Sequence, residues 1–358
     1  MARVAVAMSG GVDSSTAAAM LTEDGHEVVG ITLQLWDYTA ENLTSGRGRC
    51  CSPSDIADAR IVSNQLNIPH YVFDHSDAFE DHIVEPFVQE YNNGRTPSPC
   101  INCNRLVKFD ILWQLARGLE ADFLATGHYA RLEASSARPQ LHKGLDHSKD
   151  QSYFLFDVPA ERFAKVMFPL GGLAKDDVRA TARRLNLSVA NKPESYELCF
   201  IPDGNKDNFV EGRLPIAQRR DGPVRHLDGT LLGHHGGLHR FTVGQRRGLG
   251  LTSVEPLFVV ALERETDTLV VGPSEALTAK KLVAVRCNWV SIEVPTEPLC
   301  AHARIRHRHN EVGALITPRG DDRVRVEFKE AQRAITPGQG VAFYDGDLLL
   351  GGGWIEGT

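Results

Sequence analysis

Apolar positions in the first half of the chain fall in short runs separated by longer segments of helical period. Val4, Val6 and Met8 suit a buried strand, and Thr16 to Leu21 suit a helix packed closely on a sheet. Glu27 to Leu35 reads as a second strand and His70 to Phe73 as a third. Pro53 to Leu66 reads as a helix with Ser54 as its N-cap, and a further helix runs from about Ala78 to Tyr91. Leu106 to Gly118 is another helix, Phe123 to Thr126 a buried strand, and Lys175 to Leu187 an amphipathic helix. This alternation predicts an α/β domain with a doubly wound parallel sheet, its ligand lying at the carboxyl ends of the strands.

The pattern changes after about Gly204. Long helical periods vanish, and short β-like runs appear at Gly237 to Val243, Leu257 to Leu262, Thr268 to Val271, Leu282 to Trp289, Ala301 to Arg306, Arg323 to Phe328 and Gly340 to Tyr344. Two small β-rich domains are expected, the second barrel-like. The boundaries fall at 1–204, 205–275 and 276–358.

Composition narrows the class. With 358 residues, 42% hydrophobic and 24% charged, the chain reads as an ordinary soluble protein of two or three domains. No apolar run approaches the roughly 18 residues a membrane span needs. The first strand begins almost at once, leaving no room for a signal peptide, so a cytoplasmic location is expected. Seven cysteines in such a chain argue against a disulfide framework. The net charge of −7 hides a division: Arg213 to Gly250 holds seven arginines against two aspartates, and Ala301 to Arg333 holds eight Lys or Arg against five acids. A basic rear half behind an acidic front half suits a polyanion that spans both.

Between the first strand and its helix lies Ser9-Gly10-Gly11-Val12-Asp13-Ser14. Adjacent glycines let the chain turn sharply and bring backbone N–H groups to a ligand, and a helix start attracts anions. A tight turn with a Ser or Asp cap needs fewer such residues. The run is not a phosphate loop of the Gly-x-x-x-x-Gly-Lys-Ser/Thr kind, because no lysine follows. It resembles instead the pyrophosphate loop of the ATP-pyrophosphatase family, which cleaves ATP between its α and β phosphates and adenylates an oxygen. That resemblance implies Mg2+ near Asp13.

Cys100 and Cys103 lie in Arg95-Thr-Pro-Ser-Pro-Cys-Ile-Asn-Cys-Asn-Arg105, whose two prolines suggest a rigid, helix-free loop. A lone Cys-x-x-Cys is half a zinc site, a redox pair or part of an iron–sulfur ligand set. Cys199 lies far along the chain in Glu197-Leu-Cys-Phe-Ile201. Cys50 and Cys51 precede a helix start, which lowers a thiol pKa. Cys287 and Cys300 are expected to be buried in β modules.

Five segments in order, Ser-Gly-Gly-Val-Asp-Ser (9–14), Cys-Ile-Asn-Cys-Asn (100–104), Thr-Gly-His-Tyr-Ala (126–130), Lys-Asp-Gln-Ser-Tyr (149–153) and Cys-Phe-Ile (199–201), resemble the tRNA-specific 2-thiouridylases. Thr242 to Gly250 and Thr336-Pro-Gly-Gln339 match as well. The resemblance implies ATP-dependent replacement of the wobble uridine C2 oxygen by sulfur, in tRNAs such as the Glu, Gln and Lys acceptors. Ala7, Met8, Ser9, Gly10, Gly11, Val12, Asp13, Ser14, Leu33 and Gly127 would line the ATP site. Cys199 would carry a persulfide with Cys103 as its partner, either as acid/base or in a Cys103–Cys199 disulfide. The sulfur would come from a cysteine desulfurase or a sulfur-carrier protein.

Ser98, Pro99 and Cys100 would flank the target base. His128, Lys149, Asp150, Gln151, Arg306, His307, Arg308 and Gln339 would contact tRNA. The chain departs from the family at Cys100, where many relatives carry Asp. Cys100, Cys103 and Cys199 would then be able to hold a [4Fe–4S] cluster, an alternative to the persulfide. Two competing readings are a small-molecule ATP-pyrophosphatase and a non-catalytic tRNA-binding scaffold. The first does not need paired cysteines, and the second leaves Ser9 to Ser15 without purpose.

Overall fold

A computed structural model describes residues 1–36, 52–133, 138–193, 198–201, 204–320 and 322–358. Cys50 and Cys51 lie outside the described residues. Four parallel strands, β1 (Arg3–Ala7), β2 (Glu27–Gln34), β3 (His70–Asp74) and β4 (Phe123–Ala125), form a sheet in the order β3-β2-β1-β4, and Val166–Met167 pairs with β4 at the far edge. Val4, Ala5 and Val6 of the central strand are fully buried. Helices cover both faces, so β1 reads as a continuous apolar run rather than an alternating one. The chain builds outward from β1 through β2 to β3, then crosses back to place β4 on the other side of β1. That reversal opens a crevice at the carboxyl ends of β1 and β4.

Helix α1 (Val12–Glu23) follows β1, and α2 (Pro53–Gln65) precedes β3. The cap of α2 is Ser52, not Ser54. The Ser52 hydroxyl accepts from Asp55 N at 3.2 Å, while the Asp55 carboxylate accepts from Ser52 N at 3.0 Å. Pro53 is thereby left at the first helical position, where its missing N–H costs nothing. The helix expected over 78–91 extends over Ser76–Asn92 and widens to a π turn at Glu80–Val84. Pro86 sits just after that turn and cannot donate to an α-helical bond, and the Glu85 N–H reaches back to Glu80 O instead.

The Cys-x-x-Cys is not a helix-free loop. Pro99–Asn102 forms a helical turn that continues into a π-helical stretch, Cys103–Ile111, and an α-helix, Leu112–Gly118. Pro99 stands at the helix start, where its fixed φ favours the helix rather than breaking it.

The central module is a four-stranded sheet in the order Phe258–Glu263, Thr268–Gly272, Gly222–His226, Leu231–His235. The strand expected at 237–243 is instead a short 3-10 turn, Leu238–Arg240. Gly237 enters it at φ 130°, and a Cβ there would stand 2.4 Å from the His239 ring. Leu238 and Phe241 turn inward to close the module's core.

The last module is a closed barrel of six strands, Thr278–Trp289, Val324–Arg333, Val312–Pro318, Leu299–Arg304, Gly340–Asp345 and Leu348–Gly357, the last pairing back with the first. Cys300 is exposed, contrary to expectation: on Leu299–Arg304 the pleat turns Ala301 and Ala303 inward and Cys300 and His302 outward. Cys287 is only partly buried, yet burial pushes its thiol up to about 12. A strand pair from the first half of the chain, Ala130–Glu133 and Gln140–Lys143, extends this barrel sheet through the pairing of His142 with Leu348. Among the described residues no helix is long and apolar enough to cross a membrane.

Candidate active site

The crevice between β1 and β4 holds a cavity of about 360 Å3. Its near wall is the loop Ala7, Met8, Ser9, Gly11, Val12, Asp13 and Ser14; Leu33 and Gly127 also line it. Gly10 sits just behind, at φ 71°, and a Cβ there would stand 2.1 Å from the Asp55 carbonyl oxygen. Only glycine permits both that backbone angle and that approach. A Cβ on Gly127 would likewise meet Ser14 N at 2.8 Å, so glycine lets the turn after β4 lie against the start of α1.

No side chain caps α1: its N-cap is Gly11, and the hydroxyls turn elsewhere. Ser14 Oγ accepts from Ser9 N at 3.1 Å and donates to Gly11 O at 3.3 Å. The first N–H groups of α1 therefore face the cavity without a side-chain acceptor, which is the arrangement an anion fills.

The lysine missing from the loop is supplied by distant segments. Lys108, Lys149, Lys175 and Lys192 all line the cavity, against Asp13 and Asp55. Lys175 Nζ bonds both Asp13 oxygens at 2.7 and 2.8 Å, and Tyr129 donates its hydroxyl to Asp13 Oδ1 at 2.7 Å. Lys192 Nζ donates to Gly10 O at 3.0 Å and to Asp55 and Asp58 at 2.6 Å each. Burial alone would lower the Lys192 ammonium, but hydrogen bonds to Asp55 and Asp58 outweigh it and raise the pKa. Sequence reasoning missed Lys108, Lys175, Lys192 and Tyr129. Tyr129 lay inside a recognised segment, whereas the lysines had no local signal beyond their charge.

The cysteines approach from the other wall. Cys103 lines the cavity; Cys199 does not, but both pack against the same apolar core. Cys100 is exposed, with Ser98 and Pro99 buried beside it. Among the described residues no three His, Cys, Asp or Glu side chains gather as a metal site, so Cys100, Cys103 and Cys199 do not meet as cluster ligands here. Mg2+ makes a smaller demand. It is commonly held by one or two carboxylates together with substrate phosphates, and Asp13 offers such a donor.

Of the residues expected at tRNA, Lys149 and Gln151 line the cavity. His128 forms part of its floor, 6% exposed, between Thr126 Oγ1 at 2.7 Å and Asn104 Oδ1 at 3.2 Å. Burial holds its pKa well below the ordinary value, and Lys108 pushes the same way, so the ring is neutral at pH 7. The Asp150 carboxylate points into the protein and pairs with Arg304 at 3.1 Å. The Gln339 amide donates to Thr96 O and Pro97 O at 2.9 and 3.1 Å, holding the approach to Cys100. The His307 ring lies against Phe154, tilted by 32°, with ring centres 4.5 Å apart. Arg306 is half-buried and Arg308 exposed on the barrel rim.

Comparison with known proteins agrees with this architecture. Residues 2–203 match the family described as tRNA methyl transferase HUP domain, 207–273 its PRC-barrel domain, and 279–355 the aminomethyltransferase beta-barrel domain. The chain is 48% identical over 357 residues to the tRNA-specific 2-thiouridylase MnmA of Geotalea uraniireducens, covering 99% of this chain and 95% of that one. It is also 48% identical to the same-named protein of Geobacter metallireducens, covering 99% and 96%. A solved 4-thiouridine synthetase in complex with RNA and ATP is 14% identical over 56% of this chain and 45% of that one, at a TM-score of 0.36. With near-complete coverage in sequence and the pyrophosphate loop seated at the head of its parallel sheet, the chain belongs to the tRNA-specific 2-thiouridylase family.

Proposed function

We propose that this protein is an ATP-dependent tRNA-uridine 2-sulfurtransferase acting on the wobble uridine of tRNA. One observation carries the reading: a single cavity is lined both by the anion-binding loop at α1 and by Cys103. A ketone-like oxygen on a nucleobase is a poor leaving group, and a site that joins phosphate chemistry to a thiol answers that difficulty.

In this reading the α1 N–H groups and the lysines hold the triphosphate, and Leu33 backs the adenine. The uridine C2 oxygen attacks the α-phosphorus, and the bond to pyrophosphate breaks. Asp13 is the residue that would hold Mg2+ here, and the ion would supply charge neutralisation for the departing pyrophosphate. Lys175 then exchanges Asp13 for a phosphate oxygen, which keeps its charge compensated. The terminal sulfur of a Cys199 persulfide attacks C2, and AMP leaves with the original oxygen. The Cys103 thiolate attacks the Cys199 sulfur, closing a Cys103–Cys199 disulfide and releasing 2-thiouridine. An external dithiol then reduces the disulfide. No step passes through an iron–sulfur cluster, since Cys100, Cys103 and Cys199 are not gathered for one.

The target uridine leaves its stack to reach the cavity. Lys149 and Gln151 face it from the cavity wall and Cys100 from the surface, with Ser98 and Pro99 packed beneath, while Arg306 and Arg308 meet backbone phosphates. His128, Asp150, His307 and Gln339 shape this surface from within. The sulfur donor is a cysteine desulfurase or a sulfur carrier, the acceptors are tRNAs for Glu, Gln and Lys, and a reaction needing ATP and tRNA belongs in the cytoplasm.

Nucleoside mass spectrometry of tRNA from cells lacking the protein tests this. Wobble 2-thiouridine should vanish and return on expression of the intact chain but not of Asp13→Ala, Cys103→Ser or Cys199→Ser. Unchanged 2-thiouridine in the deletion strain would contradict the assignment.

A further inference from the structure

Residues 149 to 152 present their side chains alternately to two sites. Lys149 and Gln151 line the cavity. Gln151 brackets Tyr129: its amide oxygen accepts from Tyr129 N at 3.0 Å, and its own N–H donates to Tyr129 O at 3.0 Å. Tyr129 in turn donates its hydroxyl to Asp13. Asp150 and Ser152 turn the opposite way, toward the barrel.

Asp150 is 3% exposed. It accepts from Arg304 Nη1 at 3.1 Å, from the Ser152 N–H and hydroxyl at 3.0 Å each, and from Gly144 N at 3.2 Å. Arg304 ends a barrel strand and also donates to the His307 carbonyl. His307 Nε2 returns a bond to the Asp150 carbonyl at 3.2 Å. A buried ion pair contributes little net stability compared with apolar packing. This one joins the segment that shapes the ATP cavity to the barrel segment carrying Arg306 and Arg308.

We infer that Arg304 and Asp150 are positioning residues that couple the seating of tRNA on the barrel to the geometry of Asp13, through Gln151 and Tyr129. The inference rests on the sulfur-transfer reading above. It makes Asp150 a strut rather than a tRNA contact, and it gives the barrel a part in the chemical step as well as in binding.

The test measures 2-thiouridine formation against tRNA concentration, with persulfide supplied, and tRNA binding separately by filter retention. The variants are Asp150→Asn, Arg304→Met and both together. The double variant removes both charges, so it remains informative even where a single change leaves one charge buried alone and prevents folding. We expect kcat to fall at least tenfold in each single variant that folds, and in the double, with the tRNA Kd within twofold. The double should lose no more than the worse single, as coupled residues do. In a Tyr129→Phe background, which lacks the hydroxyl link to Asp13, the double change should have little further effect on kcat.

A double variant with wild-type kcat overturns the inference. So does a fall in tRNA affinity at unchanged kcat, which would make Asp150 a direct contact. A wild-type protein that forms no 2-thiouridine overturns the sulfur-transfer reading along with it, and is distinguished by the absence of activity before any substitution.

Discussion

Gly10, His128 and the cysteines show how much rests on single residues. At Gly10 the positive φ and the 2.1 Å approach of an added Cβ to the Asp55 carbonyl leave no room for alanine. Gly10→Ala should cost about 1–3 kcal/mol of stability and displace the loop, seen as a lower melting temperature and loss of ATP protection against unfolding. His128 gives a pH prediction. Its folded pKa lies well below the ordinary value, while the unfolded chain binds a proton near 6.5. The unfolded state therefore holds more protons below that pH, and stability falls as pH drops through about 6.5 toward the folded pKa. His70 and His307 shift the same way, so the acid limb is shared. Urea denaturation from pH 7.5 to 5 should show a shallower decline for His128→Gln than for the parent chain, and equal slopes would contradict it. Cys287, pushed up to about 12, should resist iodoacetamide at pH 8, while Cys300, exposed on the barrel, reacts readily. Peptide mapping after timed alkylation reads the two rates directly.

The elements that hold the site were unequally legible. Strands β1, β2 and β4 and the start of α1 follow from apolar runs and a glycine turn, and the sequence alone located the crevice they open. The cap of α2 lies two residues before the expected Ser54, because a serine on either side of Pro53 looks alike until the Asp55 carboxylate is placed. The Cys-x-x-Cys segment was misread for a related reason. Prolines suggest loops, yet Pro99 at a helix start needs no donor, and the helix runs through both cysteines. Gln339 holds the entry to that helix from the barrel side through Thr96 O and Pro97 O. Gln339→Ala should cost about 1–3 kcal/mol and raise amide exchange at Thr96, whose N–H is bonded to Pro337 O. Exchange at Thr96 equal to that of the parent chain would remove this role for Gln339.

At the scale of the whole molecule, the site is assembled from parts that no local pattern joins. Lys108, Lys175 and Lys192 carry no motif, and only the closing of the sheet brings them to the same cavity as the loop. The strand pair Ala130–Glu133 and Gln140–Lys143 has no local signal either, because two short strands in the first half carry no sign that their partner is Leu348. We take the chain to divide near 204 and 275, but these two strands and the Asp150–Arg304 pair bind the first part to the third. The fragment 1–204 alone should thus expose the edge of that strand pair and aggregate on concentration, whereas the full chain stays monodisperse by light scattering. The central claim is that AMP is transferred to the uridine C2 oxygen in this cavity and departs with it when sulfur arrives. The most direct measurement uses tRNA carrying 18O at C2 of the wobble uridine, and follows the label by mass spectrometry of the AMP released. The account predicts one 18O atom in AMP for each 2-thiouridine formed. Label remaining in the tRNA, or lost to water while AMP stays unlabelled, would contradict it.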